Sequence, residues 1–206
     1  MAIARTLLAS LAILAAGATA FGYATDSLRA FTSEAARRLE IQERPRLVPT
    51  TAALESADGR RLDFSALHGR WVLADFIYTR CPTWCSVLGS QFAQLERQLS
   101  DPIAAGQVQL LSISFDPDHD TPVRLADYQL RFGASGQGWM AVRPADSGAR
   151  DSLMRVFGVT AVPDGFGGYV HNAAILVVDP GGRLVRVLDA DDVRGAANFV
   201  RGRLGP

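Results

Sequence analysis

The chain opens with an unbroken apolar segment. From Thr6 to Ala24 the sequence TLLASLAILAAGATAFGYA carries no charge, and Arg5 lies directly before it. Its length is close to the roughly 20 residues that a helix needs to cross a bilayer. Ala18 and Ala20 also form the Ala-x-Ala pattern that a signal peptidase recognises. We predict that residues 1–25 enter a membrane as an anchor, with cleavage after Ala20 as the alternative.

The residues after this segment lose the continuous apolar character. Residues 26–45 are mixed in charge, and AARRLEIQE can form a short helix before Pro45 prevents its continuation. This part is predicted to be a tether. Beyond it, Asp58 and Gly59 lie between two short extended runs, a pattern typical of a β-hairpin. The hairpin is predicted to open a folded domain that covers residues 46–206.

The remaining pattern alternates between buried strands and amphipathic helices. A near-continuous apolar run predicts a strand covered on both faces, and apolar positions three and four apart predict a helix. Strands are predicted at 71–78, 108–115 and 139–142, helices at 84–99, 121–132, 147–157 and 191–204, and a hairpin at 173–188. This order predicts an α/β sandwich of the thioredoxin type with an N-terminal hairpin addition, although periodicity alone also allows other doubly wound folds.

Composition narrows the classes of function. The 206 residues include 21 Lys and Arg and 21 Asp and Glu, so the formal net charge is zero. No run of Lys or Arg exceeds two residues, and we therefore expect no nucleic-acid partner. The two cysteines, Cys81 and Cys85, are too few for a disulfide-stapled scaffold. They are best interpreted as one local pair.

The cysteine pair lies between the first central strand and the next helix. The positive end of a helix dipole stabilises anions there, so both thiols are expected to ionise readily. If the turn is helical, Cys81 and Cys85 share one face with Cβ atoms about 5 to 6 Å apart. That spacing suits a metal between two sulfurs, and a small adjustment also permits a disulfide. Metal binding and redox chemistry both stay open, with two inert buried cysteines as the plain alternative.

A selective metal site needs a third ligand, and the chain offers His68, His119 and His171. His68 lies in a predicted surface turn, and His119 lies in a polar loop before a helix cap. His171 follows the glycine-rich GFGGY and precedes the buried AAILVV, a point that faces the start of the cysteine-bearing helix in a thioredoxin-like sheet. Two thiolates and one imidazole suit copper, whereas structural zinc would ordinarily need a fourth protein ligand.

Three segments together resemble the Sco/SenC family: FIYTRCPTWC, SISFDPDHDTP and GGYVHNAAILVVDPGGRLV. The resemblance covers nearly the whole chain after the tether. It implies a thioredoxin-like domain anchored at the outer, periplasmic face of an energy-transducing membrane, in a bacterium the inner membrane. It also implies copper binding by Cys81, Cys85 and His171, and a role in building the copper A centre of cytochrome c oxidase. The partners implied are the copper A subunit and a copper donor protein.

The cysteine motif departs from the family pattern in its neighbours. The family often has an acidic residue between the cysteines and a proline after the second, where this chain has Thr83, Trp84 and Ser86. A thiol-disulfide oxidoreductase that uses Cys81 or Cys85 as the attacking thiol is therefore an alternative function. A copper or redox sensor is a further one.

Overall fold

The computed structural model describes residues 2–80, 84–134, 136 and 138–205. The N-terminal apolar segment forms helix α1 (Ala2–Ala24). Residues Ile3–Ala24 of this helix are long and apolar enough to cross a membrane, and none of their most apolar stretch is buried against the rest of the chain. The helix therefore has the length, composition and exposure expected of the predicted anchor.

The elements that follow α1 agree closely with the pattern of the sequence. The helices are α2 (Ser33–Glu43), α3 (Trp84–Gln98), α4 (Ser100–Ala104), α5 (Pro122–Phe132), α6 (Ser147–Phe157) and α7 (Val193–Arg201). The strands are β1 (Arg46–Leu47), β2 (Ala53–Ser56), β3 (Arg61–Asp63), β4 (Trp71–Ile77), β5 (Val108–Ser114), β6 (Trp139–Pro144), β7 (Ala161–Pro163), β8 (Tyr169–His171), β9 (Ala174–Val178) and β10 (Arg183–Asp189).

One eight-stranded sheet organises the fold, in the order β1-β10-β9-β4-β5-β6-β2-β3. Strands β4, β5 and β6 are parallel, and β9 joins β4 in antiparallel fashion. Every residue of β5 is buried, including the polar Gln109, Ser112 and Ser114, as expected of a strand that is covered on both faces. The predicted hairpin is formed by β2 and β3, and its turn uses Gly59 at φ 77°, a conformation that favours glycine. This hairpin extends the sheet beyond β6.

Helices cover both faces of the sheet. On one face α3 contacts α5 and α7, and Phe92 of α3 packs against Trp139 of β6 with ring centroids 5.9 Å apart. On the other face Phe157 at the end of α6 packs against Phe76 of β4 and against Phe64. The two faces together form one hydrophobic core. The carboxyl ends of β4 and β5 lie at one edge of this core.

Helix α2 packs onto the fold rather than standing apart from it. Ile41 is fully buried, and the Arg37 guanidinium donates to the carbonyl oxygens of Phe157 at 2.8 Å and Gly158 at 3.0 Å. These carbonyls end α6, where a cation is favoured by the helix dipole. The segment predicted as a tether is thus held against the domain over this helix, whereas the domain boundary at residue 46 stays a prediction.

Two local features differ from the sequence-based expectation. The helix predicted over 84–99 is followed almost at once by α4, because Pro102 lies in the first turn of this new helix, where proline is tolerated. The glycine-rich stretch before His171 is flanked by two short strands, β7 and β8, which pair as a separate antiparallel ribbon. His171 ends this ribbon instead of directly entering the buried strand.

Candidate metal centre

The cysteine-bearing segment begins where β4 ends. Tyr78, Thr79 and Arg80 follow the strand and lead to Cys81, which lies outside the described residues. The structure describes the backbone of Cys85, which is the second residue of α3. Cys85 is therefore in the first turn of the helix, as predicted. Backbone N–H groups at such a position favour the thiolate over the thiol.

His171 lies in an aromatic enclosure close to this point. Its ring centroid is 5.2 Å from that of Phe115 and 6.4 Å from that of Tyr78. Both ring nitrogens are buried, and neither has a hydrogen-bond partner in the described part of the chain. Burial lowers the pKa of His171, which favours the neutral imidazole at neutral pH. Neutral imidazole is the form that binds metals.

Tyr78 connects the end of β4 to the ribbon that carries His171. Its hydroxyl donates to the carbonyl oxygen of Tyr169 at 3.2 Å and accepts the N–H of the same residue at 3.1 Å. Cys81 is three residues beyond Tyr78, and three residues of extended chain span no more than about 11 Å. The His171 imidazole is therefore close to the segment that must place Cys81.

A groove separates His171 from the start of α3. The cavity has a volume of about 520 Å³, and Val87 of α3 and His171 of β8 both line it. Val87 is two residues after Cys85, so the first turn of α3 and the ribbon face each other across this space. The structure thus places His171 opposite the cysteine-bearing helix, while its ligation of a metal stays a prediction.

The other two histidines have different surroundings. His68 is exposed at the end of a 3₁₀ turn. His119 is half exposed, and its Nδ1 lies 3.0 Å from Oδ1 of Asp116. Both positions match the loop locations predicted from the sequence. Among the described residues, no group of three or more His, Cys, Asp or Glu side chains is arranged to hold a metal ion.

Two acidic residues beside the cysteine segment were not recognised in the sequence. Asp116 accepts hydrogen bonds from the Arg80 guanidinium at 2.8 and 3.2 Å. Asp120 accepts from the N–H and the hydroxyl of Thr79 at 3.0 and 2.6 Å. Both carboxylates come from the DPDHDTP loop, which the sequence marked only as a motif. Their contacts join residues about 40 positions apart, so no local pattern indicates them.

Comparison with known proteins gives a consistent family. The SCO1/SenC family model matches residues 47–199. A protein of Stutzerimonas stutzeri that is named for copper binding is 31% identical over 193 residues, which are 89% of this chain and 88% of the relative. The SCO1 protein homolog of Bacillus subtilis is 25% identical over 134 residues, or 64% of this chain and 68% of the relative.

Solved structures confirm the predicted thioredoxin-like fold. A SCO1/SenC family lipoprotein of Bacillus anthracis superposes with a TM-score of 0.68 at 20% identity, covering 77% of this chain and 96% of that one. BsSco superposes with a TM-score of 0.67 at 21% identity, covering 77% of this chain and 94% of that one. It is described as having a disulfide switch and as a member of the Sco family of cytochrome c oxidase assembly proteins. Copper-bound ScoI of Bradyrhizobium japonicum superposes with a TM-score of 0.58 at 22% identity, covering 75% of this chain and 96% of that one.

Proposed function

This chain belongs to the SCO1/SenC family, and on that premise we propose that it is a copper metallochaperone for the copper A centre of cytochrome c oxidase. Three of the comparisons support this function. The Stutzerimonas relative is named for copper binding, the Bradyrhizobium structure contains copper, and BsSco is described as a member of a family of cytochrome c oxidase assembly proteins. The observation that carries it is the His171 imidazole, whose two buried nitrogens lack hydrogen-bond partners among the described residues and which lies across a groove from the start of α3.

The proposed ligands are Cys81, Cys85 and His171. A buried polar atom without a hydrogen bond costs free energy, so an imidazole kept in this state fits a residue that waits for a metal. The ring is favoured in its neutral form, and the N-terminal turn of α3 favours the thiolate of Cys85. Two thiolates suit Cu(I), and an added imidazole also allows Cu(II) to bind. These donors fit copper as the cargo.

The groove gives a client access to the bound copper. It is open to solvent between Val87 and His171, and its wall also includes exposed Val170. A client donor that enters there meets the histidine side of the proposed site, across the groove from the first turn of α3. Copper can then pass by exchange of one ligand at a time, without a fully uncoordinated ion.

A second candidate function is thiol-disulfide exchange. Cys85 in the first turn of α3 has the location of an activated thiol, and the disulfide switch described for BsSco supports redox chemistry in a related protein. In this function Cys81 or Cys85 attacks a client disulfide, and the other thiol resolves the mixed disulfide while the client is reduced. A redox or copper sensor would use the same pair. In this proposal His171 is needed for Cu(II) binding and is not needed for dithiol exchange.

Copper transfer to the client tests the proposed function. The reduced, copper-loaded full chain in detergent should give the absorption spectrum of a copper A centre when mixed with the reduced, copper-free copper A subunit of the same organism. His171→Ala should abolish transfer from the Cu(II)-loaded protein, and His68→Ala, which removes an exposed histidine, should not. Reduction of an oxidised client by the copper-free protein, without any copper transfer, would favour the oxidoreductase instead.

We also propose that α1 anchors the domain at the outer face of a bacterial inner membrane. The apolar, unburied helix and the lipoprotein relative of Bacillus anthracis support attachment to a membrane, and the family resemblance supports the periplasmic side. The native protein should stay with membranes after a high-salt or alkaline wash and should be digested by protease added to the periplasm. A mature amino terminus at Phe21 would contradict the anchor.

A further inference from the structure

We infer that Asp120 is a positioning residue that fixes the backbone directly before Cys81. Its side chain is fully buried, and its carboxylate accepts three hydrogen bonds. Two come from Thr79, through its N–H at 3.0 Å and its hydroxyl at 2.6 Å. The third comes from the Ser114 hydroxyl at 2.6 Å. The inference rests on the proposed function only in taking Cys81 as a residue of the site.

The paired contacts to Thr79 hold that residue in both position and orientation. One bond reaches its backbone and one its side chain, so neither translation nor rotation of Thr79 is free while both persist. Hydrogen bonds to a carboxylate are among the strong ones, and burial strengthens them further. Cys81 is two residues on, which keeps its Cα within about 7.6 Å of that of Thr79. Fixing Thr79 therefore restricts where the first proposed sulfur ligand can lie.

Asp116 provides a second contact from the same loop. It accepts from the guanidinium of Arg80, the residue next to Cys81, but the Arg80 side chain is one-third exposed. Ion pairs with solvent access contribute little, so this contact is the weaker of the two. The Asp120 N–H donates to the carbonyl oxygen of Asp116 at 2.9 Å, which joins the two residues into one turn. The β5–α5 loop thus forms hydrogen bonds with Thr79 and Arg80, the two residues that precede Cys81.

The loop is itself held at both ends. It leaves β5 at Ser114, whose hydroxyl binds Asp120, and it enters α5 at Thr121, whose side chain caps the helix. Asp120 therefore connects the loop between β5 and α5, which both elements hold in place, to the end of β4. When its bonds to Thr79 are lost, Cys81 should become free to move away from the groove that His171 lines.

Four substitutions separate positioning from general stability. Thr79→Val and Asp120→Asn each weaken the hydrogen bonding between Asp120 and Thr79. Ser112→Ala is the control for general stability, since it removes a buried hydrogen bond of the same strand, the one donated by the Trp139 indole at 2.9 Å, and leaves the β5–α5 loop unchanged. Thr79→Ser is the conservative variant, because it keeps both the N–H and the hydroxyl.

Thr79→Val and Asp120→Asn should lower the Cu(II) affinity of the full chain in detergent by about tenfold, the lower end of the effect of residues that orient metal ligands. Both should also shift the equilibrium between the Cys81/Cys85 disulfide and glutathione, measured without copper. Ser112→Ala should lower only the free energy of unfolding, and Thr79→Ser should keep the wild-type values.

Equal shifts in Ser112→Ala and Thr79→Val, or an unchanged disulfide equilibrium in Thr79→Val, would overturn the role of Asp120. A wild-type chain that binds no copper would overturn the metallochaperone instead. In that case the disulfide equilibrium of the same variants still decides whether Asp120 positions Cys81.

Discussion

Replacing His171 with alanine should weaken Cu(II) binding by on the order of a hundredfold or more, while the Cys81/Cys85 pair still forms and opens a disulfide. Even residues that only orient a ligand contribute about 10- to 100-fold to metal affinity, so the loss of a ligand should cost at least the upper value. Two sulfurs can still hold Cu(I) linearly, but they are too few and too soft to stabilise Cu(II). Cu(II) affinity should therefore fall more than Cu(I) affinity.

This variant should keep nearly all of its folding stability. The His171 nitrogens make no hydrogen bonds in the described part of the chain, so the side chain contributes through contacts such as that with Phe115. An aromatic contact of this kind is worth about 0.5 to 1.5 kcal/mol. Titration followed by thiolate-to-copper charge-transfer absorption measures the affinity, with His68→Ala as control. Unchanged Cu(II) affinity, or a much larger loss of stability, would show that His171 is a structural residue.

Replacing Asp75 with asparagine should remove a strong pH dependence of folding stability. Asp75 lies in the middle of β4, is fully buried, and neither carboxylate oxygen has a hydrogen-bond partner of good geometry in the described part of the structure. Burial raises the pKa of Asp75 from an ordinary 3.8 to about 7, and the neighbouring Ser112 hydroxyl opposes this shift only in part. The folded protein thus holds a proton that the unfolded chain releases near pH 4.

Because the unfolded state binds fewer protons between these two pKa values, stability should fall as pH rises and then level off above about 7. One pKa unit corresponds to 1.36 kcal/mol, so ionisation of Asp75 should lower the free energy of unfolding of the wild type by roughly 4 kcal/mol between pH 4 and pH 8. The difference in free energy of unfolding between Asp75→Asn and wild type should grow by that amount, as measured by urea denaturation. Asp151→Asn, at an exposed position, is the control. A difference that does not vary with pH would contradict the assigned pKa.

The central elements of the fold could be predicted because their patterns are local. Strand β4 is apolar except at Asp75, strand β5 begins with the mostly apolar run VQLL, and α5 has Thr121 as its cap and Pro122 in its first turn. Such signals depend on a few adjacent residues and survive in the folded structure. The position of Cys85 at the start of α3 follows from the same kind of signal.

The supports of the site could not be predicted because they depend on distant contacts. The ribbon of β7 and β8 has only three residues in each strand, and Tyr169 is held by Tyr78, which lies 91 residues earlier. Asp120 is bonded to Thr79 across 41 residues. In the sequence Asp120 is one of three aspartates in a polar loop, and nothing local distinguishes the buried Asp116 and Asp120 from the exposed Asp118. The burial of Arg37 against α6 is hidden for the same reason.

Cys81, Cys85 and His171 should bind one copper ion together. X-ray absorption at the copper edge of the reduced full chain, loaded with one equivalent of copper, measures this because it counts sulfur and imidazole ligands. The wild type should show two sulfur ligands and one imidazole, and His171→Ala should show two sulfurs without the imidazole. A wild-type spectrum with nitrogen and oxygen ligands alone, or one left unchanged by His171→Ala, would contradict this ligand set.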